Sequence, residues 1–279
     1  MAHRFKRPKP IPARSATNAP DLPVVGYPDF AKQVSEKFPK HCACWGPLYE
    51  AANHIVRRSE AGHRLAVLRS AEAAFNAFNA IILLALNGLG PDAMVVCRSL
   101  LETAMGTVYL AADEARLPNY IEYGKFVQHR IAKRWEAGQR VDLINATKAG
   151  HDSAMNRFPM RHLSWHQLQI DQLATKTGYK DVYDDYYPMW SSIAHGDFLA
   201  TTSRLSPKGQ FQPPPAWEFV DDALELGAEI TARMFYQVTR LLKLGYESTI
   251  DRVIVILDEL EPKRVQARRY LISTGTSST

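Results

Sequence analysis

Two short segments of this chain bring together residue types that do chemistry. The first is "WSSIAHGD", Trp190 to Asp197, in which Ser191 and His195 stand four residues apart and Gly196 follows at once. On a helix, side chains at i and i+4 lie one above the other, so the hydroxyl and the imidazole would share a face. An imidazole titrates near neutrality and suits general acid or base work. At a helix C-terminus it equally caps carbonyls, and the helix dipole favours its protonated form. The second segment is "CRSLLE", which places Arg98 and Glu102 at the same i, i+4 spacing. With Met94 at the origin of a helical wheel, Leu101 and Met105 fall within about 20°, Arg98 at about 40° and Glu102 at about 80°.

The charged pair therefore borders an apolar face, where Arg and Glu can bond each other and lower the cost of burying both. Such a pair either fixes helix register as a structural network or lines a polar pocket. In both cases something polar must meet it, and the "SSIAHG" helix end is the best-placed source. The expectation is that Arg98 and Glu102 are largely buried and paired, with His195 or a hydroxyl of Ser191 or Ser192 in hydrogen-bonding reach. As a catalytic site, His195 would be general acid or base and Arg98 would stabilise an anion. Glu102 would orient Arg98, and Ser191 would supply a hydrogen bond.

Helices must position these residues. Almost every periodic segment after the first 28 residues has helical spacing. "DFAKQVSEKF" sets Phe30, Val34 and Phe38 at i, i+4, i+8, with Asp29 as the expected N-cap. Pro47 opens a helix expected to reach Gly62, and a long helix follows from about His63 to Leu86. Asn87-Gly88 supplies its stop. The short "NGLGP" connection then leads into the Arg98 helix, from Pro91 to about Arg116, which makes a tight antiparallel hairpin. Pro118 starts the next helix, and a weaker one covers about Val141–Ala149. Ser164 and Gln167 form a capping pair for "SWHQLQIDQLATKTG". The "DVYDDYYPMWSSIAHGD" helix and the turn-rich "SPKGQFQPPP" come next. A final hairpin closes the chain, its second helix carrying a Ser248/Asp251 capping pair. The reading is all-α: one helical bundle over residues 29–262 with a long central hairpin. A basic, proline-rich arm expected to be disordered covers residues 1–28, and a basic tail residues 263–279.

Composition sets the outer limits. Of 279 residues, 46% are hydrophobic and 23% charged, which suits a globular protein. The strongest apolar stretch, around Ile81 to Leu86, falls short of the roughly 20 residues of a membrane span and reads as a core helix. The basic N-terminus lacks an apolar signal-peptide segment. The three cysteines have no disulfide spacing, which fits a reducing cytoplasm. The net charge of +5 lies in the two ends: nine of the 34 basic residues flank Ser15–Glu261, whereas all 29 acidic residues fall inside it. The body is thus slightly acidic, unlike a strong RNA groove.

Other chemistry is poorly served. "HCACW" clusters His41, Cys42 and Cys44, yet no second Cys/His pair completes a zinc site. His162 and His166 have metal spacing, but Ser164 between them reads as a helix start. No P-loop, dinucleotide-binding glycine pattern, Gly-x-Ser-x-Gly elbow or His-Glu-x-x-His motif occurs. No cofactor or metal is expected.

Taken together, "CRSLLE" and "YYPMWSSIAHGD" resemble the motifs of an uncharacterised bacterial domain-of-unknown-function family, an Arg-Ser-x-x-Glu helix with a Ser-x-x-x-His-Gly element. The likeness spans roughly Leu65 to Leu205. That family in turn resembles HEPN domains, helical bundles of toxins, antiphage systems and RNA-processing enzymes. The resemblance implies RNA as partner, a homodimer and metal-independent cleavage, with histidine moving the proton of the ribose 2′-hydroxyl and arginine stabilising phosphate. HEPN ribonucleases carry Arg-x4-6-His, and here Pro188, Met189 and Trp190 occupy the positions where that arginine would stand. Arg98, from another helix, is the substitute in space. The alternative is a non-catalytic helical module that binds protein partners or a small ligand.

Overall fold

The structure, a computed structural model, describes residues 26–58, 60–134, 164–196 and 213–260, with a few single positions between them. Among these residues the fold is all-α, a helical bundle without strands. Its helices are α1 (Pro28–Lys37), α2 (Pro39–Ala43), α3 (Trp45–Val56), α4 (Gly62–Leu86), α5 (Gly90–Ala111), α6 (Leu117–Arg134), α7 (Ile170–Thr177), α8 (Lys180–Ala194), α9 (Val220–Leu241) and α10 (Glu247–Asp258). A 3₁₀ turn, Glu114–Arg116, links α5 to α6.

The centre is the α4–α5 hairpin with α9 laid against both; every other helix except α6, which packs on the 3₁₀ turn, leans on this trio. The reason lies in residue distribution. Helix α5 buries Met94, Cys97, Leu100, Leu101, Ala104, Met105 and Val108, a band broad enough for several neighbours. Small residues let the backbones close in: a methyl at Gly227 on α9 would meet Phe78 of α4 at 3.1 Å. By length and composition α4 and α5 could each cross a bilayer, with mean hydropathies of 1.3 and 1.2. Here their apolar faces meet each other and α9.

The "NGLGP" turn has the expected stop, and a second role. Gly88 takes a left-handed φ of +68°. A Cβ there would lie 2.5 Å from Pro215 Cα, and one at Gly90 would lie 1.8 Å from the Glu218 carbonyl oxygen. These glycines therefore admit the segment that leads into α9, and Gly88 O accepts the Ala216 N–H at 3.1 Å.

Several expected boundaries shift. Tyr27 is the N-cap of α1, with Pro28 at its first position and Asp29 inside the first turn, where the dipole favours a carboxylate. Helix α3 stops at Val56, and α5 ends at Ala111 because the Asp113 carboxylate accepts the Ala115 N–H and nucleates the 3₁₀ turn. Ser164 does not cap a helix. Gln167 donates its side-chain N–H to the Ser164 carbonyl at 2.7 Å in a turn, and Trp165 is pulled in against Tyr109 and Tyr120. Helix α7 begins at Ile170 with a capping box between Gln169 and Gln172. Helix α10 begins at Glu247 without a side-chain cap, so the Ser248/Asp251 pair is not one. The expected Val141–Ala149 helix and most of the "SPKGQFQPPP" loop lie outside the described residues.

Candidate functional site: the α5–α8 crossing

Helix α8 packs along α5 through Val182, Trp190 and Ile193, all buried. Its aromatic rows stack within themselves, Tyr183 on Tyr187 at 4.8 Å and Tyr186 on Trp190 at 5.7 Å. Pro188 lies within the helix without ending it. The N-terminal end of α8 is clamped to α9: Arg233 forms a two-pronged bond to Asp181, at 3.0 and 2.9 Å, and an ion pair with Glu229 at 2.6 Å. The adjacent Tyr179 is buried and donates to the Ile230 carbonyl at 3.2 Å. Burial would raise the Asp181 carboxyl, but the Arg233 guanidinium outweighs it and holds the group below the usual carboxylate range.

Further along, Tyr187 faces Arg98 and Glu102. The Arg98–Glu102 pair forms as expected, with Nε 3.3 Å from Oε1. The third polar group is Tyr187: its hydroxyl donates to Glu102 Oε1 at 2.6 Å and accepts from Arg98 Nη2 at 3.2 Å. The Tyr187 ring also lies under the guanidinium, 5.1 Å from its central carbon. Burial alone would lower Arg98, but bonding to Tyr187 and the nearby Glu102 outweigh it and raise its pKa. Burial, then Glu102, pushes the Tyr187 phenol up. The pair is less buried than its position on the wheel implies, with side chains 27% and 42% exposed. Both residues sit on the flank of the apolar face, where α8 covers only one side. Arg98 Nε is shut from solvent and off line for a hydrogen bond, so this N–H lacks a partner.

His195 takes another place. It is the C-cap of α8, exposed, with its N–H bonded to the Ser191 carbonyl at 3.0 Å, and Gly196 ends the helix at φ +70°. Among the described residues the bonds that Arg98 and Glu102 make across to α8 go to Tyr187, and neither the His195 ring nor the Ser191 hydroxyl joins them. Tyr187, Ser191 and His195 follow one another along α8 at four-residue steps, so His195 lies about 12 Å along the axis from Tyr187. The structure thus brings Arg98, Glu102 and Tyr187 together and leaves Ser191 and His195 on the same stripe beyond them. Tyr187 was legible in one respect, as it stands i−4 from Ser191. Counted as part of an aromatic row, it reads as core.

A family of unknown function (DUF5677) matches residues 65–212, which takes in all five of these positions. The chain belongs to that family. No curated protein and no solved structure matches it. The matched span runs from α4 through α8, so the family carries the α4–α5 hairpin and the α5–α8 crossing, while Arg233 and Glu229 lie outside it.

Among the described residues no group of three His, Cys, Asp or Glu side chains could hold a metal ion. Cys44 is buried, and burial first, then Cys42 and Glu225, pushes its thiol up to about 12, far from a reactive thiolate. His166 lies in the Trp165 turn, where burial takes its pKa down to about 4. His162 lies outside the described residues.

Proposed function

We propose that this protein is a HEPN-like helical module of a bacterial defence or toxin system that works in the cytoplasm. It contacts RNA through the face shared by α5 and α8, without a metal. The observation that carries this reading is the unspent donor capacity of Arg98. One Nη2–H goes to a neutral phenol at 3.2 Å, and the side chain keeps 27% of its surface open, so the outer edge of the guanidinium is the part that can meet a ligand. A guanidinium held this way offers planar donors to a phosphate oxygen. Glu102 and Tyr187 fix its direction. The same geometry favours contact over cleavage, because His195 stands two turns of α8 beyond Tyr187, the residue that meets the arginine. In a homodimer the exposed His195 would have a second copy to work with.

The test is fluorescence anisotropy with a labelled single-stranded RNA in EDTA, at two salt concentrations, with the same RNA run on a denaturing gel. Binding that weakens with salt, drops about tenfold in Arg98→Ala and leaves the RNA intact fits the proposal. Cleavage in EDTA lost in His195→Ala would make it a ribonuclease instead. Absent binding would leave the second reading, a non-catalytic module for a protein partner or small ligand. That reading is favoured by the Tyr187 hydroxyl, which already bridges Arg98 and Glu102 as a structural network would.

A further inference from the structure

A second site lies away from this crossing, on α3 where the start of α10 meets it. It is an open cavity of about 570 Å³, in the size range of small-molecule pockets. Two rows of α3 line it at four-residue steps, Tyr49, Asn53 and Arg57 in one and Glu50, His54 and Arg58 in the other. Tyr246, the N-cap of α10, completes the lining. All of these residues lie outside the span that the family matches.

The two rows differ. The Glu50 row is committed to structure: Glu50 accepts from Arg252 at 2.8 Å and from the Tyr246 hydroxyl at 3.3 Å. The His54 ring stacks on Tyr246 with centroids 4.0 Å apart. Arg58 Nη2 donates to His54 Nε2 and to the Leu244 carbonyl, both at 2.9 Å. A guanidinium only donates, so Nε2 is the acceptor and the His54 ring is uncharged. Burial, then Arg58, also lowers its pKa. The Tyr49 row is uncommitted. Among the described residues the Asn53 amide and the Arg57 guanidinium have no side-chain partner, and Arg57 is exposed. Tyr49 is 46% exposed, yet its ring is held by Trp45, stacked at 4.8 Å, and Trp45 donates to Asn79 of α4 at 3.0 Å. With Glu50 matched by Arg252, the cavity keeps two arginines, Arg57 and Arg58, that meet no carboxylate among the described residues.

The order along the Tyr49 row is aromatic ring, amide, cation. A phenol ring offers a face for stacking. An amide carries donor and acceptor in one plane, the arrangement that pairs with the edge of a nucleobase. An exposed guanidinium takes a phosphate oxygen. The steps from Tyr49 to Arg57 cover about 12 Å along the axis, a span that base, ribose and phosphate bridge in the same order, given the length of the arginine side chain. We propose that this cavity binds a nucleoside 5′-monophosphate, free or at the 5′ end of a strand. The base would lie against Tyr49 with its edge on Asn53, and the phosphate at Arg57. A plain aromatic acid would leave the amide unused. The site shares no residue with the α5–α8 crossing, so it stands or falls apart from that reading.

Isothermal titration calorimetry of the full chain with each ribonucleoside 5′-monophosphate in turn tests this. The matching nucleoside, phenyl phosphate and a 5′-phosphorylated trinucleotide are the comparators. The expected result is saturable binding of at least one monophosphate, with the nucleoside and phenyl phosphate about tenfold weaker or more. Arg57→Ala, at an exposed side chain without partners, should weaken the monophosphate to a similar extent while circular dichroism stays unchanged. Asn53→Ala should weaken it less, and Arg98→Ala should leave it unchanged, which separates this site from the crossing. A trinucleotide that binds more tightly, and loses that affinity in Arg57→Ala, assigns the site to a strand end; otherwise the occupant is the free nucleotide. No binding of any monophosphate, equal binding of the nucleoside or phenyl phosphate, unchanged affinity in Arg57→Ala, or loss in Arg98→Ala instead would overturn the proposal.

Discussion

The molecule uses one device twice, an arginine and a glutamate four residues apart on a core helix, each meeting α8. On α9, Glu229 and Arg233 meet Asp181, and on α5, Arg98 and Glu102 meet Tyr187. The first set is closed: Glu229 is 8% exposed, and Arg233 has two carboxylates with short, well-aimed bonds. The second is open: its third member is a neutral phenol, its arginine keeps an unpartnered N–H, and its glutamate is 42% exposed. The identity of the third group makes the difference. A carboxylate uses the guanidinium's planar fork fully, whereas a single hydroxyl uses one donor and leaves the rest. The closed set fastens α8 to the bundle, and the open set is the one available for binding.

Removing the arginine from each set should separate the two most clearly. Arg233→Ala removes the ion-pair partner of a buried Glu229 and the two-pronged bond to Asp181, which should cost about 2–4 kcal/mol. Arg98→Ala exposes a glutamate that water already reaches, and about 1 kcal/mol is expected. Urea unfolding of both variants measures the difference, and equal losses would erase the distinction between clamp and site.

Acid should act on the first half of this surface through a different residue. His166, beside the α5 end of the crossing, has its pKa lowered from 6.5 to about 4 by burial, so the fold holds it neutral. Between those values the unfolded chain binds the proton and the folded chain does not. Stability from this group is therefore full above about pH 6.5 and lost progressively as pH falls toward 4. The urea midpoint should fall over that window less steeply in His166→Asn than in the parent protein. Parallel slopes would mean that other groups carry the acid sensitivity.

Tyr187→Phe should have a smaller effect. It keeps the ring under the guanidinium and deletes only the bridging hydroxyl, so a loss of about 0.5–1.5 kcal/mol is expected. If the open set is a binding site, the same variant should weaken RNA less than Arg98→Ala does, because it removes an orienting contact and not the donor itself.

Much of this architecture was legible because periodicity and punctuation agreed. The α4–α5 hairpin follows from two long apolar helices and the Asn87-Gly88 stop, and the Arg98–Glu102 pairing follows from spacing alone. What failed had one physical source, the pull of tertiary contacts on local signals. Trp165 went into the core and took the Ser164 cap with it, and α8 met α5 one turn earlier than the "SSIAHG" segment suggests. Helix register against a neighbour is set by how buried side chains such as Trp190 and Ile193 interlock, and a single sequence does not carry that offset. A shift of one turn exchanges Ser191 for Tyr187.

The smallest expected effect is the sharpest test of that offset. His195 is exposed at the end of α8, its ring shares no hydrogen bond with the Arg98 set, and its backbone closes the helix through bonds that any residue at the position would make. His195→Ala should therefore leave the unfolding free energy within about 0.5 kcal/mol of the parent. Residues without shared partners at such separations show additive effects, so Arg98→Ala with His195→Ala should equal the sum of the singles in both stability and RNA affinity. Additivity would hold His195 to the role of a helix-ending residue on an otherwise functional stripe. A coupling of about 1 kcal/mol or more between Arg98 and His195 would instead mean that the two meet in solution, in a dimer or on a bound strand, and the catalytic reading of the pair would return.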